Sequence, residues 1–252
     1  MISANEISAT LCSMSNDAER RNLSRFFKTG EGEYGAGDTF LGIRVPQVRA
    51  VVKQARRQVE LCEIEKLLNS PYHEVRLCGF LLTVEEMRSA LPCRGVDTPG
   101  KASHRDEIAR FYLCNAHHAD NWDLVDLSCY KILGLWLLHP LANGLMPDRS
   151  ILDELARSTN MWEQRIAIVT TMMLIRHRQY ADTLRIATTL LGHNHDLIHK
   201  AIGWMLREVW KRDPEVIESY LESHYRDMHR TTLRYAIERM PQQRRQSWLQ
   251  RR

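Results

Sequence analysis

Apolar residues recur three and four positions apart along almost the whole chain, and no run alternates strictly between apolar and polar residues. That spacing lines one face of a helix and leaves no pattern for a half-buried strand, so the chain can pack only as helices on helices. Val48, Val51 and Val52 follow Pro46, a residue suited to a first helical turn. Leu77, Phe80, Leu81 and Val84 mark a second helix entered through Ser70-Pro71, and Ile108, Phe111 and Tyr112 mark a third. Val125, Cys129, Ile132 and Trp136 form the stripe of a fourth, for which Asn121 is a fitting N-cap. Further helices are predicted near 148–157, 162–177, 180–191, 195–211, 214–224, 230–239 and 242–250, with Pro147, Asn160, Gly192, Pro214 and Pro241 at or near the joins.

Composition narrows the class. A hydrophobic fraction of 44% is ample to offset the entropy of ordering, which excludes a disordered chain. Twelve glycines and eight prolines in 252 residues exclude collagen-like and low-complexity readings. The longest apolar patch, Ile132 to Leu138, is far short of the ~20 residues that span a bilayer. The opening Met1-Ile2-Ser3-Ala4-Asn5-Glu6 has neither a charged n-region nor an apolar h-region, so a cytoplasmic protein is expected. Six scattered cysteines without a Cys-x-x-Cys pair predict reduced, mostly buried thiols rather than a disulfide framework or cysteine-type zinc site.

Trp122, Trp162 and Trp204 lie 40 and 42 residues apart, close to the period of stacked helix pairs. The starts Tyr72-His73-Glu74-Val75-Arg76-Leu77 and Met161-Trp162-Glu163-Gln164-Arg165-Ile166 also resemble one another. A helical solenoid fits this self-similarity, and an irregular bundle could produce it by chance. Residues 28–46 hold five of the twelve glycines and read as a Gly-rich connection; 91–103, with Pro92, Gly95, Pro99 and Gly100, read as a flexible loop. Neither has the character of an interdomain linker, so residues 1–252 are expected to form a single domain.

Two motifs mislead. Gly30, Gly32 and Gly35 satisfy Gly-x-Gly-x-x-Gly, but a dinucleotide site needs a strand before the glycines and a helix opening at them. Here Phe26 and Phe27 sit in a helical segment before the motif, and Phe40-Leu41-Gly42-Ile43 follows it. His195 and His199 are four apart on a predicted helix, yet lack the Glu of His-Glu-x-x-His and any evident third ligand. His117-His118 is read as a helix end, and Met172 and Met173 as core filling.

The octet Asn121 to Ser128 carries the most chemistry. With Asn121 capping, Trp122 and Asp126 share one helix face, and Asp126 lies at the edge of the core stripe. A carboxylate there requires a partner, whereas Asp123 reads as an ordinary first-turn acid that complements the helix dipole. Trp162 to Arg165 open one later helix, and Lys200 to Glu208 fill another. Gly203 inside that helix costs about 1 kcal/mol relative to Ala, which implies a close contact. Two readings stay open on the residues alone. These helices line one concavity with a carboxylate, indoles, Arg165 and Arg207, or the tryptophans are core and Arg207 pairs with Asp213 or Glu208.

Phe26-Phe27-Lys28, Phe40 to Pro46, the octet 121–128, Trp162 to Val169 and Lys200 to Glu208 together resemble the AlkD-type DNA alkylation repair proteins, over about residues 20–250. The resemblance implies an all-α fold, an α-solenoid of HEAT-like (armadillo-type) helical repeats that holds double-stranded DNA containing alkylated bases. It implies a monofunctional DNA glycosylase, acting as a monomer without metal or organic cofactor, that removes 3-methyladenine and 7-methylguanine without flipping the base. Trp122, Asp126 and Trp204 match the residues placed at the lesion sugar, and Arg165 matches a phosphate-contacting arginine. Arg207, Arg44, Lys200 and Arg234 join it as expected DNA-binding residues. A non-catalytic repeat protein that binds damaged or branched DNA, or a protein partner, is the alternative. The chain departs from some active members at two points. Four glycines between Gly30 and Gly37 disfavour a helix that those members carry, and Arg44 replaces a shorter polar residue.

The formal charge of +4 conceals an asymmetry. Residues 226–252 hold eight arginines against Asp227 and Glu238, leaving the first 225 residues slightly acidic. Arg234 and its neighbours are therefore expected to meet phosphate.

Overall fold

The computed structural model describes residues 1–251. Among them are fourteen α-helices and no strand, an all-α chain of the α-solenoid class. The chain packs as two compact units, Met1–Pro147 and Asp148 onward.

The first unit holds α1 (Ala4–Ser13), α2 (Asp17–Phe26), α3 (Val45–Ala55), α4 (Leu61–Leu68), α5 (His73–Ser89), α6 (Pro99–Cys114) and α7 (Trp122–Trp136). Caps set its boundaries. Ser3 and Glu6 form a reciprocal capping box on α1, and Asn16 accepts from the Glu19 N–H at the start of α2. Thr98 caps α6, with Pro99 in its first turn. The predicted loop 91–103 is thus corrected: its last five residues are helix, because cap and proline pre-set the turn despite Gly100. Helix α5 is buried on all sides from His73 through Val84 and is the pillar of the unit. It packs between α3 and α7, with α4 laid against it and α6 against α7.

The second unit holds α8 (Ile151–Ala156), α9 (Met161–Arg176), α10 (Ala181–Leu190), α11 (Asp196–Trp210), α12 (Pro214–His224), α13 (Arg230–Ala236) and α14 (Gln242–Gln250). Helix α9 is its wrapped pillar, and Met172 and Met173 lie in the core as expected. Helix α11 packs between α9 and α13. In each unit a helix therefore stacks on the next but one, as repeated helix pairs require. The tryptophan period finds α7, α9 and α11, but the indoles sit at different heights. Trp122 and Trp162 open their helices, whereas Trp204 lies mid-helix.

Gly203 has the close contact its cost implies. A Cβ there would fall 2.6 Å from the Thr232 carbonyl oxygen and 3.2 Å from the Ala236 nitrogen, so α11 touches the backbone of α13. His117-His118 do end a helix, though a short 3-10 one at Ala116–His118 rather than α6, which stops at Cys114.

Candidate active site

The start of α7 is fixed by Asn121, whose side-chain oxygen accepts from the Trp122 N–H at 2.9 Å. Its amide nitrogen donates to Asp38 at 3.2 Å, which ties the cap to the Gly-rich connection. One turn apart, Trp122 and Asp126 are both half-buried and line a cleft of about 440 Å³ within the first unit. The remaining walls are mainly apolar, with Phe26, Phe27, Phe40, Pro46 and Leu77 among them. Phe27 stacks on Trp122 with ring centroids 5.3 Å apart and on Phe40 at 5.1 Å; Phe26 meets Trp122 edge-on at 6.0 Å. Such pairs contribute roughly 0.5–1.5 kcal/mol each beyond area burial. Phe26 is nonetheless 63% exposed, so part of an aromatic face stays turned to solvent beside the indole.

Behind the rings lies a buried ionic network. His73, at the first turn of α5, places Nδ1 2.7 Å from Asp38 and Nε2 3.0 Å from Asp123. Its ring stacks on Phe40 at 4.4 Å. Burial alone would lower the His73 pKa, but the carboxylates of Asp123 and Asp38 outweigh it and hold the imidazolium up to about 9. Burial opposes the Asp38 charge too, yet His73 and Arg76 keep its carboxyl below the usual range. Arg76 donates to Asp38 at 2.8 Å and to Asp120 at 3.0 Å. Asp123 is therefore no ordinary first-turn acid. It is buried and bonded across 50 positions, to a residue that local pattern could not pair with it.

Glu74 anchors the other rim. It accepts from the backbone N–H groups of Leu41, Gly42 and Ile43 at 2.8, 2.8 and 3.0 Å. Gly42 has φ of +87°, and a Cβ there would meet the backbone of Asn16 and Arg20, so this crossing admits only glycine. Residues 28–44 form turns rather than a helix, as the glycines predict, and their C-terminal end is firmly held. Arg44 is exposed beside the cleft and donates to Glu19 at 2.8 and 3.2 Å.

The other expected residues belong to the second unit. Trp204 is half-buried on α11, with Lys200 one turn before it and 2.8 Å from Asp196. Arg165 is buried on α9 and donates to the Leu197 carbonyl in the first turn of α11 at 2.5 Å. Arg207 pairs with Glu238, rather than with Asp213 or Glu208 as read from the sequence; Glu208 instead binds Lys211 and Arg212. Arg234 is exposed on α13. His195 caps α11 through its ring, and His199 bonds Thr232 at 3.2 Å and stacks on His229.

The sequence reading thus reached the cleft through Trp122, Asp126 and Arg44, and missed Asp38, His73, Glu74, Arg76 and Asp123. One signal was available. His73, Glu74 and Arg76 crowd ionisable groups into the first turn of a helix whose next two turns, Leu77 to Leu82, are wholly apolar, and buried charges demand partners. Chemically, the cleft sets three carboxylates (Glu74, Asp123 and Asp126) against two cations, His73 and Arg44. An aromatic cleft with the Asp126 carboxylate in its wall suits an organic cation with a flat face.

Comparison with known proteins bears on this chemistry. A solved structure from Enterococcus faecalis, described as a predicted DNA alkylation repair enzyme, superimposes with a TM-score of 0.66 at 18% identity, covering 90% of this chain and 97% of that one. That likeness shows the shared fold. No curated protein matches the chain. The family described as DNA alkylation repair enzyme matches residues 7–240, nearly the whole length. The chain belongs to the DNA alkylation repair enzyme family, and its role lies in the repair of alkylated DNA.

Proposed function

We propose that the protein is a DNA glycosylase that hydrolyses the N-glycosidic bond of cationic alkylated purines, 3-methyladenine and 7-methylguanine, in duplex DNA. The observation that carries this reading is the aromatic cleft with Trp122 and Asp126 on one face of α7. A purine alkylated at N3 or N7 already bears positive charge, so it departs as a neutral base without a general acid. One carboxylate then suffices. Asp126 stabilises the oxocarbenium-like sugar as the bond lengthens and orients the water that attacks it. The Trp122 indole attracts the cationic sugar–base unit, worth ~0.5–2 kcal/mol. Trp204 is proposed as a second indole at the lesion sugar.

Arg165, Arg207, Arg44, Lys200 and Arg234 are assigned to the DNA backbone, where charge-assisted contacts to phosphate fix register rather than sequence. Arg207 and Arg44 would exchange Glu238 and Glu19 for phosphate on binding. The cleft offers rings and carboxylates rather than base-edge donors, which fits recognition by charge without flipping the base into a closed pocket. We further propose that the whole chain acts as one domain and as a monomer, without cofactor, in base excision repair in the cytoplasm.

Charge selectivity is the direct test. Duplexes carrying 7-methylguanine or 3-methyladenine are expected to release base in excess of a buffer control, while the neutral lesion O6-methylguanine is retained. Equal release from cationic and neutral lesions would overturn the charge argument. A second reading, a non-catalytic module that binds damaged or branched DNA, is favoured by the turns at 30–37 and by the engagement of Arg44 with Glu19. It predicts DNA binding without release from any lesion.

A further inference from the structure

The same three helices that frame the aromatic cleft carry a second, cationic feature. Below the cleft, α3, α5 and α7 enclose a small groove of about 80 Å³ with an apolar floor of Val52, Leu81 and Val84. Its rim holds Arg49 and Lys53 from α3, Arg56 just after it, Arg88 from α5 and Lys131 from α7, against Glu85 alone. Arg88 lies 2.5 Å and Arg56 3.9 Å from Glu85, so this one acid is shared by two arginines. Arg49 and Lys53 are exposed and make no ion pair among the described residues.

The chain thus holds two unlike surfaces on one helical stripe. Leu127 at the cleft and Lys131 at the groove are one turn apart on α7, and Leu77 and Leu81 are likewise one turn apart on α5. Four residues rise about 6 Å along the helix axis, less than two base-pair rises of B-DNA at ~3.4 Å each. The cleft walls are mainly apolar and offer a phosphate only Arg44 at the rim, so a strand whose lesion faces Asp126 needs further backbone contacts nearby. The groove is phosphate-sized and cationic, and its lining begins one turn from that of the cleft.

We infer that the Arg49–Lys53–Arg88 groove is a phosphodiester-binding site that seats the lesion-bearing strand next to the cleft. The inference rests on the DNA reading above and deepens it. It also adds to the sequence expectation, which concentrated basicity at the C-terminal end and named none of these groove residues. There Arg244 and Arg251 are paired with Glu218 and Glu222, and Arg207 with Glu238. Arg49 and Lys53 have no such competitor to displace.

The test is the salt dependence of binding to an unmodified duplex, for the wild type, for the triple variant Arg49→Gln/Lys53→Gln/Arg88→Gln, and for Arg110→Gln. Arg110 is an exposed arginine on α6 outside the groove. Each phosphate contact contributes about 0.9 to the slope of log K against log salt. The triple variant is expected to lose about 2–3 of that slope and to bind at least tenfold more weakly at moderate salt, while Arg110→Gln tracks the wild type. A wild-type slope retained in the triple variant overturns the groove and leaves the DNA reading standing. No salt-dependent binding by the wild type overturns both. Equal losses in the triple variant and Arg110→Gln would reduce the groove to general surface charge. Thermal melting of all three proteins separates loss of binding from loss of fold.

Discussion

His73 is held between two carboxylates with only 2% of its side chain exposed, and that placement makes folding depend on pH with a definite sign. Its pKa rises from about 6.5 to about 9 on folding, so its stabilisation is complete below pH 6.5 and is lost as pH climbs through 9. The span corresponds to on the order of 3 kcal/mol. Asp38 behaves oppositely: its lowered pKa withdraws stability only in strong acid. Urea denaturation of the wild type is therefore expected to show falling stability between pH 6.5 and 9.5. His73→Gln should be less stable at pH 6 and should lose most of that slope; an unchanged slope would remove His73 as its source. None of this was legible residue by residue. Asp38, His73 and Asp123 are separated by 35 and 50 positions, and each has a bland local reading, as turn acid, helix-start histidine and dipole-complementing acid. Trp122 and Asp126 were legible because one helical turn relates them and Asn121 announces that turn.

At the level of elements, local chemistry carries most of the boundaries. Caps at Asn16, Thr98, Asn121, Asn160 and Asp213 place helix starts that periodicity alone leaves open by a turn. Gly203 shows where local reasoning changes sign. On an isolated helix Gly203→Ala would stabilise by about 1 kcal/mol, but here the added methyl presses on Tyr235 and the α13 backbone. The variant is expected to be destabilised by about 1–3 kcal/mol, as overpacked sites are, with a lower urea midpoint. An unchanged or raised midpoint would mean that α11 and α13 separate at little cost. The glycine announced a close approach, but not its partner. Thr232 lies 29 positions away, across α12.

For the whole molecule, charge is arranged in patches that the net of +4 hides. An apolar, aromatic cleft and a cationic groove share α3, α5 and α7, while the arginine-rich C-terminal end is partly neutralised by acids of α12. Arg252 lies outside the described residues. The sequence disclosed the arginine cluster because its members lie close together along the chain. It concealed the groove because Arg49, Lys53, Arg88 and Lys131 converge only when three helices pack. The central claim is that Asp126 makes this cleft an N-glycosidic hydrolase, and base release tests it most directly. Methylated duplex DNA is incubated with wild type or Asp126→Asn, both shown to be folded by thermal melting, and free 7-methylguanine is quantified. The wild type is expected to release base well above the buffer rate, and Asp126→Asn to lose that release by about 10²–10⁴-fold. Release by the variant at the wild-type rate, or by the wild type at no more than the buffer rate, would contradict the account.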